Sequence, residues 1–220
     1  EINYFEKMNK KQLSERDICS KFITPALEKA GWDLHTQIRE EFSLTNGRII
    51  VRGKLHTRAK NKRADYELFY KPNIPIAVIE AKDNNHTIAD GMQQAINYAD
   101  MLQAPFVFSS NGDGFLFHNK ISADGKVEKE IQLDEFPSPD ELWQLWITHN
   151  GISKKQEEII AQDYYSGSNT KTPRYYQLLA INKTIEAIAK GQNRILLVMA
   201  TGTGKTFTAF QIIWRLWKSK

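Results

Sequence analysis

The chain has 220 residues, a hydrophobic fraction of 41%, a charged fraction of 25% and a formal net charge of +4. This fits one or two ordinary soluble domains and permits a polyanionic partner without requiring one. No run approaches the ~20 continuous apolar residues that span a bilayer, the opening EINYFEKMNKKQ is no secretory signal, and a lone Cys19 excludes an internal disulfide and fits a reducing, cytoplasmic setting.

The first predicted element is a helix over SERDICSKFITPALEKAGW. Ser14 is its N-cap, Glu15 and Asp17 sit in the first turn, and Ile18, Phe22, Ala26 and Ala30 recur at helical spacing. Gly31 stops it, and Pro25 is expected to kink it. An extended stretch from Gln37 to Leu44 then meets Asn46-Gly47 and a strand from Arg48 to Val51, the pattern of a hairpin. A basic loop from Arg52 to Arg63 follows. The strand ADYELFY, the turn KPNIP and the more apolar strand IAVIEAK come next. Thr87 to Leu102 reads as a helix with Ile88, Met92, Ala95, Ile96 and Ala99 on one side. APFVFSS and GFLFHN form a hairpin about the turn NGDG. Strands on both sides of a helix predict an α/β fold, a mixed sheet flanked by helices.

The character changes near Pro137. SPDELWQLW opens on a capping box from Ser138 to Glu141 with Pro139 at the first helical position. A second helical stretch and a polar linker, SGSNTKT, lead to the amphipathic helix PRYYQLLAINKTIEAIAKG. A buried-type strand, RILLVMA, a glycine turn and the helix KTFTAFQIIWRLWK complete the chain as given. No internal repeat is present. The expected division is 1–136, 137–170 and 171–220.

The turn MATGTGKT is an anion site by its setting. Unpaired N–H groups of a strand–loop–helix junction point inward, and the helix dipole favours negative charge there. In the run Thr201-Gly202-Thr203-Gly204-Lys205-Thr206, the glycines allow dihedrals that side chains forbid. Lys205 is placed to reach β- and γ-phosphates of ATP, and the Thr206 hydroxyl to bind its Mg²⁺. Met199 stands where the general motif has its first Gly, and no acidic Walker B motif follows; Asp134 and Glu135 precede the loop.

The second chemical signal is AVIEAK. Alternate strand residues share a face, so Glu80 and Lys82 project together, and Asp65 on the preceding strand can face Glu80. Two carboxylates and a carbonyl make a hard-oxygen site for Mg²⁺, and a nearby Lys can orient water or stabilise charge on a phosphate. This is the chemistry of phosphodiester hydrolysis. Gln94 and Tyr98 lie one helical turn apart on one face. Arg52, Lys54, Arg58, Lys60, Lys62 and Arg63 run into the strand carrying Asp65 and are placed to neutralise DNA phosphates without reading sequence. His35, His56, His86, His118 and His149 are scattered without zinc-like spacing.

These motifs resemble known families. Asp65, Glu80 and Lys82 are similar to the catalytic positions of the PD-(D/E)xK nuclease core, with Ala64 in place of the usual Pro. QAINY resembles the Q-x-x-x-Y motif of motor-linked members, which implies that Gln94 and Tyr98 support the nuclease site, and Glu15 is similar to the helical acidic residue that some members add as a metal ligand. MATGTGKT resembles motif I of superfamily 2 helicases, and RYYQ their Q motif, which implies that Gln177 contacts adenine with Tyr175 or Tyr176 near the base. In order and content, FITPALEKAGW, RADYELFY, IAVIEAK, QAINYA, SSNGDGF, RYYQLLAI and MATGTGKT resemble the restriction subunit of type I restriction-modification enzymes. The resemblance implies an N-terminal nuclease joined to the start of a RecA-like ATP-driven translocase. It further implies double-stranded DNA as substrate, with methyltransferase and specificity subunits as partners. A non-cutting DNA-binding or docking module fused to a motor, and a stand-alone helicase–nuclease of repair or phage defence, are the competing readings.

Overall fold

The computed structural model describes residues 9–44, 49–52, 55–58, 62–123, 125–168 and 171–220 and, within 42–62, backbone only. Eight strands are described: β1 Ile38–Leu44, β2 Ile49–Arg52, β3 Leu55–Arg58, β4 Lys62–Lys71, β5 Ile74–Ala81, β6 Phe106–Ser110, β7 Phe115–Asn119 and β8 Glu128–Ile131. Six form one sheet in the order β1-β4-β5-β6-β7-β8, and β2 and β3 pair by themselves. All neighbours in the large sheet are antiparallel except β5 and β6, whose parallel pairing needs a crossover. Helix α3, Met92–Leu102, supplies it. The expected mixed sheet with flanking helices is therefore what the chain forms.

The predicted N-cap Ser14 stands at the head of α1, Glu15–Ile18, where it closes a capping box with Asp17. Around Pro25 the helix widens over one turn. Residues Cys19–Ile23 form a π-turn, in which the Thr24 N–H donates to the Cys19 carbonyl, before α2 resumes over Thr24–Lys29. Proline has no N–H and its ring crowds the preceding turn, and a π-turn relieves both.

Four expectations change. The Asn46-Gly47 turn lies outside the described residues, but the strands on its two sides do not pair with each other: β1 pairs with β4, and β2 with β3. The basic stretch Arg52–Arg63 is not one loop, since it contains β3 and the start of β4. The third helix begins at Met92 rather than Thr87, because Thr87 and Asp90 close a turn of their own: the Thr87 N–H and hydroxyl both donate to the Asp90 carboxylate, at 3.0 and 2.6 Å. Finally, RILLVMA forms no strand. Among the described residues nothing pairs with it, and Leu196 and Val198 are 85% and 88% exposed.

Strand β5 is buried almost throughout, as a central strand must be when both faces are covered. On one face, Ile79 and Ala81 join a core with Ile18, Leu27, Phe108 and Phe136. On the other, Val78 packs with Ala95, Ala99 and Leu102 of α3. The first core continues through α4 (Pro139–His149), α5 (Lys154–Ile160) and α6 (Tyr175–Ala189) by way of Trp143, Ile160 and Ile181. Tyr70 of β4 stacks on Trp143 with ring centroids 4.1 Å apart and planes 4° from parallel, an arrangement adding about 0.5–1.5 kcal/mol to simple burial. Helix α7, Lys205–Lys218, follows the glycine loop. No described helix is long and apolar enough to cross a membrane.

Glu67 is fully buried on β4, directly across from Arg39. Neither carboxylate oxygen has a hydrogen-bond partner. Burial, partly offset by the Arg39 guanidinium, pushes its carboxyl up to about 7. A carboxyl raised on folding favours the folded state fully below its ordinary range, and that contribution fades as pH rises through about 7. Stability should therefore fall by about 1–3 kcal/mol through this group between mildly acidic and mildly alkaline pH. Glu67→Gln should reduce that slope in denaturant titrations across pH. An identical slope in the variant would place the pH dependence elsewhere.

Candidate functional site

The β4–β5 register pairs Tyr66 with Ile79, which sets Asp65 opposite Glu80. Asp65 Oδ2 accepts the Ala81 N–H at 2.7 Å, so the carboxylate is anchored to the neighbouring strand. Glu80 is 2% exposed. Its Oε1 accepts from Lys82 Nζ at 2.9 Å and from the Gln94 amide, and Gln94 Nε2 also donates to the Tyr98 hydroxyl at 3.1 Å. Lys82 Nζ donates at 3.1 Å to Glu15 Oε1 as well, so one ammonium lies between two carboxylates. The structure thus brings Glu15, Asp65, Glu80, Lys82, Gln94 and Tyr98 into one cluster. It builds that cluster from α1, two adjacent strands and the first turns of α3.

The electrostatics follow from burial. Desolvation pushes the Glu80 carboxyl up to about 7, with the Asp65 charge adding to the rise and Lys82 opposing it. Asp65 is raised by burial and by Glu15, against the Ala81 N–H, which favours its charged form. Burial pulls Lys82 down, but its bonds to Glu80 and Glu15 outweigh this and hold it above its ordinary value. Beside Asp65 a cleft of about 290 Å³ opens between Glu15, Cys19, Glu40, Glu41 and Tyr66. Glu41, opposite Asp65 on β1, has φ 48, a left-handed value that costs a non-glycine residue.

Among the described residues no three His, Cys, Asp or Glu side chains converge as a complete metal cage. The site nevertheless fits a divalent cation of the Mg²⁺ kind. Glu80 Oε2 is buried without any hydrogen-bond partner, the donors are hard oxygens, and a site of two carboxylates and a carbonyl completed by water is usual for that ion. Arg63 pairs with Glu41 at 3.2 Å. Of the other basic candidates, Lys54 and Lys60 lie outside the described residues. Arg52 and Arg58 close the two ends of the β2–β3 pair, and Lys62 opens β4.

Two residues of this site were invisible to motif reading. Gly91, just before α3, lies so close to β5 and β6 that a Cβ there would come 2.7 Å from Ser109 Oγ and 3.1 Å from Glu80 Cγ. Ser109 itself is fully buried, with an unpartnered hydroxyl. Glycine at this point lets α3 approach far enough for Gln94 to reach Glu80. The sequence signal was the glycine inside an otherwise helical stretch.

The glycine loop forms a separate locus. Gly202 and Gly204 have φ 77 and 86, and a Cβ on Gly204 would run into the Gln177 amide, so the loop suits close backbone approach to phosphate. Gln177 is buried; its Oε1 accepts the Arg174 N–H and its Nε2 donates to the Thr203 carbonyl at 2.8 Å. Lys205 Nζ folds back onto the Met199 and Ala200 carbonyls at 3.3 and 3.2 Å. The Thr203 hydroxyl donates to Ala200, while Thr201 and Thr206 are exposed. Tyr175 and Tyr176 meet edge-on, and the Tyr176 hydroxyl accepts from Arg174. An open pocket of about 490 Å³ lies along Gln177, Gly202, Thr203 and Phe207. Asp134 and Glu135 serve other ends: Asp134 faces Lys29 and Glu135 caps Gln132.

A mixed six-stranded sheet with flanking helices, leading into the start of a helicase-like domain, is the architecture of a restriction-enzyme subunit. Residues 12–126 match the family described as type I restriction enzyme R protein N terminus, and residues 170–220 match that described as type III restriction enzyme, res subunit. The chain belongs to the type I restriction enzyme R protein family and matches its N-terminal region. It is 58% identical to the type I restriction enzyme EcoAI endonuclease subunit of Escherichia coli over 97% of its own length and 26% of that protein. Against the EcoKI endonuclease subunit of Escherichia coli strain K12, identity is 28% over 71% of this chain and 17% of that one. A solved fragment assigned to the HsdR subunit of a type I restriction enzyme from Vibrio vulnificus YJ016 superposes with a TM-score of 0.78 at 39% identity. It covers 94% of this chain and 38% of that one. The chain thus spans about a quarter of the first curated relative.

Proposed function

We propose that this chain carries the endonuclease site of a type I restriction subunit and the nucleotide loop of its translocating motor. The observation that carries the reading is the convergence of Asp65, Glu80 and Lys82 at one end of two adjacent strands, in a member of that family. Asp65, Glu80 and the Ala81 carbonyl would hold Mg²⁺, which supplies a polarised water and neutralises charge on the scissile phosphate. Gln94 and Tyr98 hold Glu80 Oε1 in place, and Glu15 shares the Lys82 ammonium. Lys82, kept charged by its carboxylates, stabilises the developing phosphate charge. Arg52, Lys54, Arg58, Lys60, Lys62 and Arg63 would neutralise phosphates of double-stranded DNA.

In the motor part, Thr201 to Thr206 bind ATP and its Mg²⁺, with Gln177 at the adenine edge. Residues 1–136 are then nuclease, 137–170 connector and 171–220 the opening of the motor. The separate family matches over 12–126 and 170–220 support this division. Methyltransferase and specificity subunits supply sequence recognition, and the complex works in the cytoplasm.

Metal binding tests the nuclease half directly. Calorimetric titration of the protein with Mn²⁺ should show one site whose affinity rises from pH 6 towards 8, because Glu80 must lose its proton to bind. Asp65→Asn and Glu80→Gln should each weaken it by about 10-fold or more. Equal binding by both variants would leave a docking module as the better reading.

A further inference from the structure

Helix α7 buries the wrong residues for an amphipathic helix. Phe210, Ile213 and Trp217 are exposed, whereas Thr208, Gln211 and Arg215 are 1% exposed. Gln211 accepts the Tyr165 N–H at 2.9 Å and donates to the Tyr165 carbonyl at 3.2 Å. Arg215 donates to the Ile160 carbonyl at 2.6 Å, the Gln162 carbonyl at 2.9 Å and Asn182 Oδ1 at 2.7 Å, with its guanidinium over the Tyr164 ring. Directional bonds from a buried fork fix the rotation and axial position of a helix, which a smooth apolar face does not.

The chain of bonds goes on past the motor. Asn182, on α6, receives Arg215 and the Tyr164 hydroxyl at its Oδ1, and its Nδ2 donates to the Asn73 carbonyl at 2.9 Å. Arginine can only donate and a carbonyl can only accept, so the amide has one possible orientation. Asn73 is the left-handed residue (φ 70) in the turn between β4 and β5. Its own Oδ1 accepts from Arg39 at 2.6 Å, and Arg39 stacks over Phe69 of β4. The strands leaving that turn are those of Asp65 and of Glu80.

We propose that Arg215, Asn182 and Asn73 form a positioning relay that couples the phosphate-loop helix to the turn joining the two carboxylate strands. The proposal rests on the nuclease–motor reading. Lys205 and Arg215 belong to one rigid helix, so movement of the loop on nucleotide binding displaces Arg215. The relay carries this displacement to the far end of β4 and β5. Asn182 and Asn73 are positioning residues and touch neither DNA nor nucleotide.

The test uses the full-length subunit assembled with its methyltransferase and specificity partners. Asn182→Asp keeps an acceptor for Arg215 and Tyr164, replaces the donor to Asn73 by a carboxylate oxygen that repels its carbonyl, and adds a charge that Arg215 faces. DNA-stimulated ATP hydrolysis should stay within about twofold of wild type while ATP-dependent cleavage falls at least about fivefold. Hydrogen exchange over residues 69–76 should respond to a non-hydrolysable ATP analogue with Mg²⁺ in the wild type and not in the variant. Simple loosening of the turn would raise its baseline exchange and leave the response in place. Wild-type cleavage, or a persisting exchange response in Asn182→Asp, overturns the relay. Should the variant also lose ATP hydrolysis, the wild-type protein decides: a turn indifferent to nucleotide overturns the proposal and a responsive one supports it. Lys82→Ala serves as the control for the underlying reading, since normal cleavage by it would remove the nuclease assignment without touching the exchange result.

Discussion

Lys82→Ala in the complete subunit should abolish DNA cleavage, by about 10²–10³-fold or more, and leave DNA-stimulated ATP hydrolysis unchanged. Lys82 Nζ is the cation that lies within 3.1 Å of both Glu15 and Glu80. Removing it deletes the group that can meet charge developing on a phosphate, but no backbone bond of β5 depends on it. The same change makes the site more negative, so Mn²⁺ binding at Asp65 and Glu80 should be retained. Loss of cleavage with retention of metal separates a catalytic Lys82 from one that only holds the site together. Because Glu80 loses its ion-pair partner, its carboxyl will rise further, and the comparison belongs near pH 8. Wild-type cleavage by the variant would sink the catalytic assignment.

What the sequence disclosed and what it withheld divide along the range of the interactions. The N-cap at Ser14 and the capping box at Ser138 are contacts within one helical turn, so they could be read directly and are formed. The strands carrying Asp65 and Glu80 could be read because β5 is apolar enough to be central and the turn between the strands is short. The partner of β1 could not. An Asn-Gly pair makes a hairpin only when the strands beside it have no better neighbour, and β4 is a better neighbour for β1. Arg194–Ala200 has the composition of a buried strand, but a strand is defined by the ladder it joins, and none of the described residues offers one.

Helix α7 forms over the predicted stretch, but its inward face was not legible. Its polar residues Thr208, Gln211 and Arg215 are the buried ones while Phe210, Ile213 and Trp217 are exposed, so apolar periodicity points to the wrong face. The choice falls to Gln211 and Arg215, whose partners on residues 160–165 and at Asn182 are more than 30 positions away. For the candidate site, motif spacing named Asp65, Glu80, Lys82, Gln94 and Tyr98. It could not show that the Lys82 ammonium is shared with Glu15, or that Gly91 is what admits Gln94 to Glu80. Both facts depend on a helix and a sheet meeting in space.

Lys205→Ala should lower ATP hydrolysis by about 10²-fold or more and remove cleavage with it, the reverse of the selectivity expected at Lys82. The Lys205 ammonium rests on two loop carbonyls, Met199 and Ala200, at 3.3 and 3.2 Å. These are weak, exposed contacts that phosphate oxygens can replace at little cost. Gly204→Ala should reach the same endpoint by another route. A side chain at φ 86 is strained, and its Cβ would displace the Gln177 amide that braces Thr203. Lys205→Ala should therefore bind a fluorescent ATP analogue weakly and fail to hydrolyse ATP, whereas Gly204→Ala should fail already at binding. Unimpaired hydrolysis by Lys205→Ala would end the motor reading. Cleavage that survived the loss of hydrolysis would mean that the carboxylate site works without the motor, and the relay through Asn182 would then have nothing to transmit.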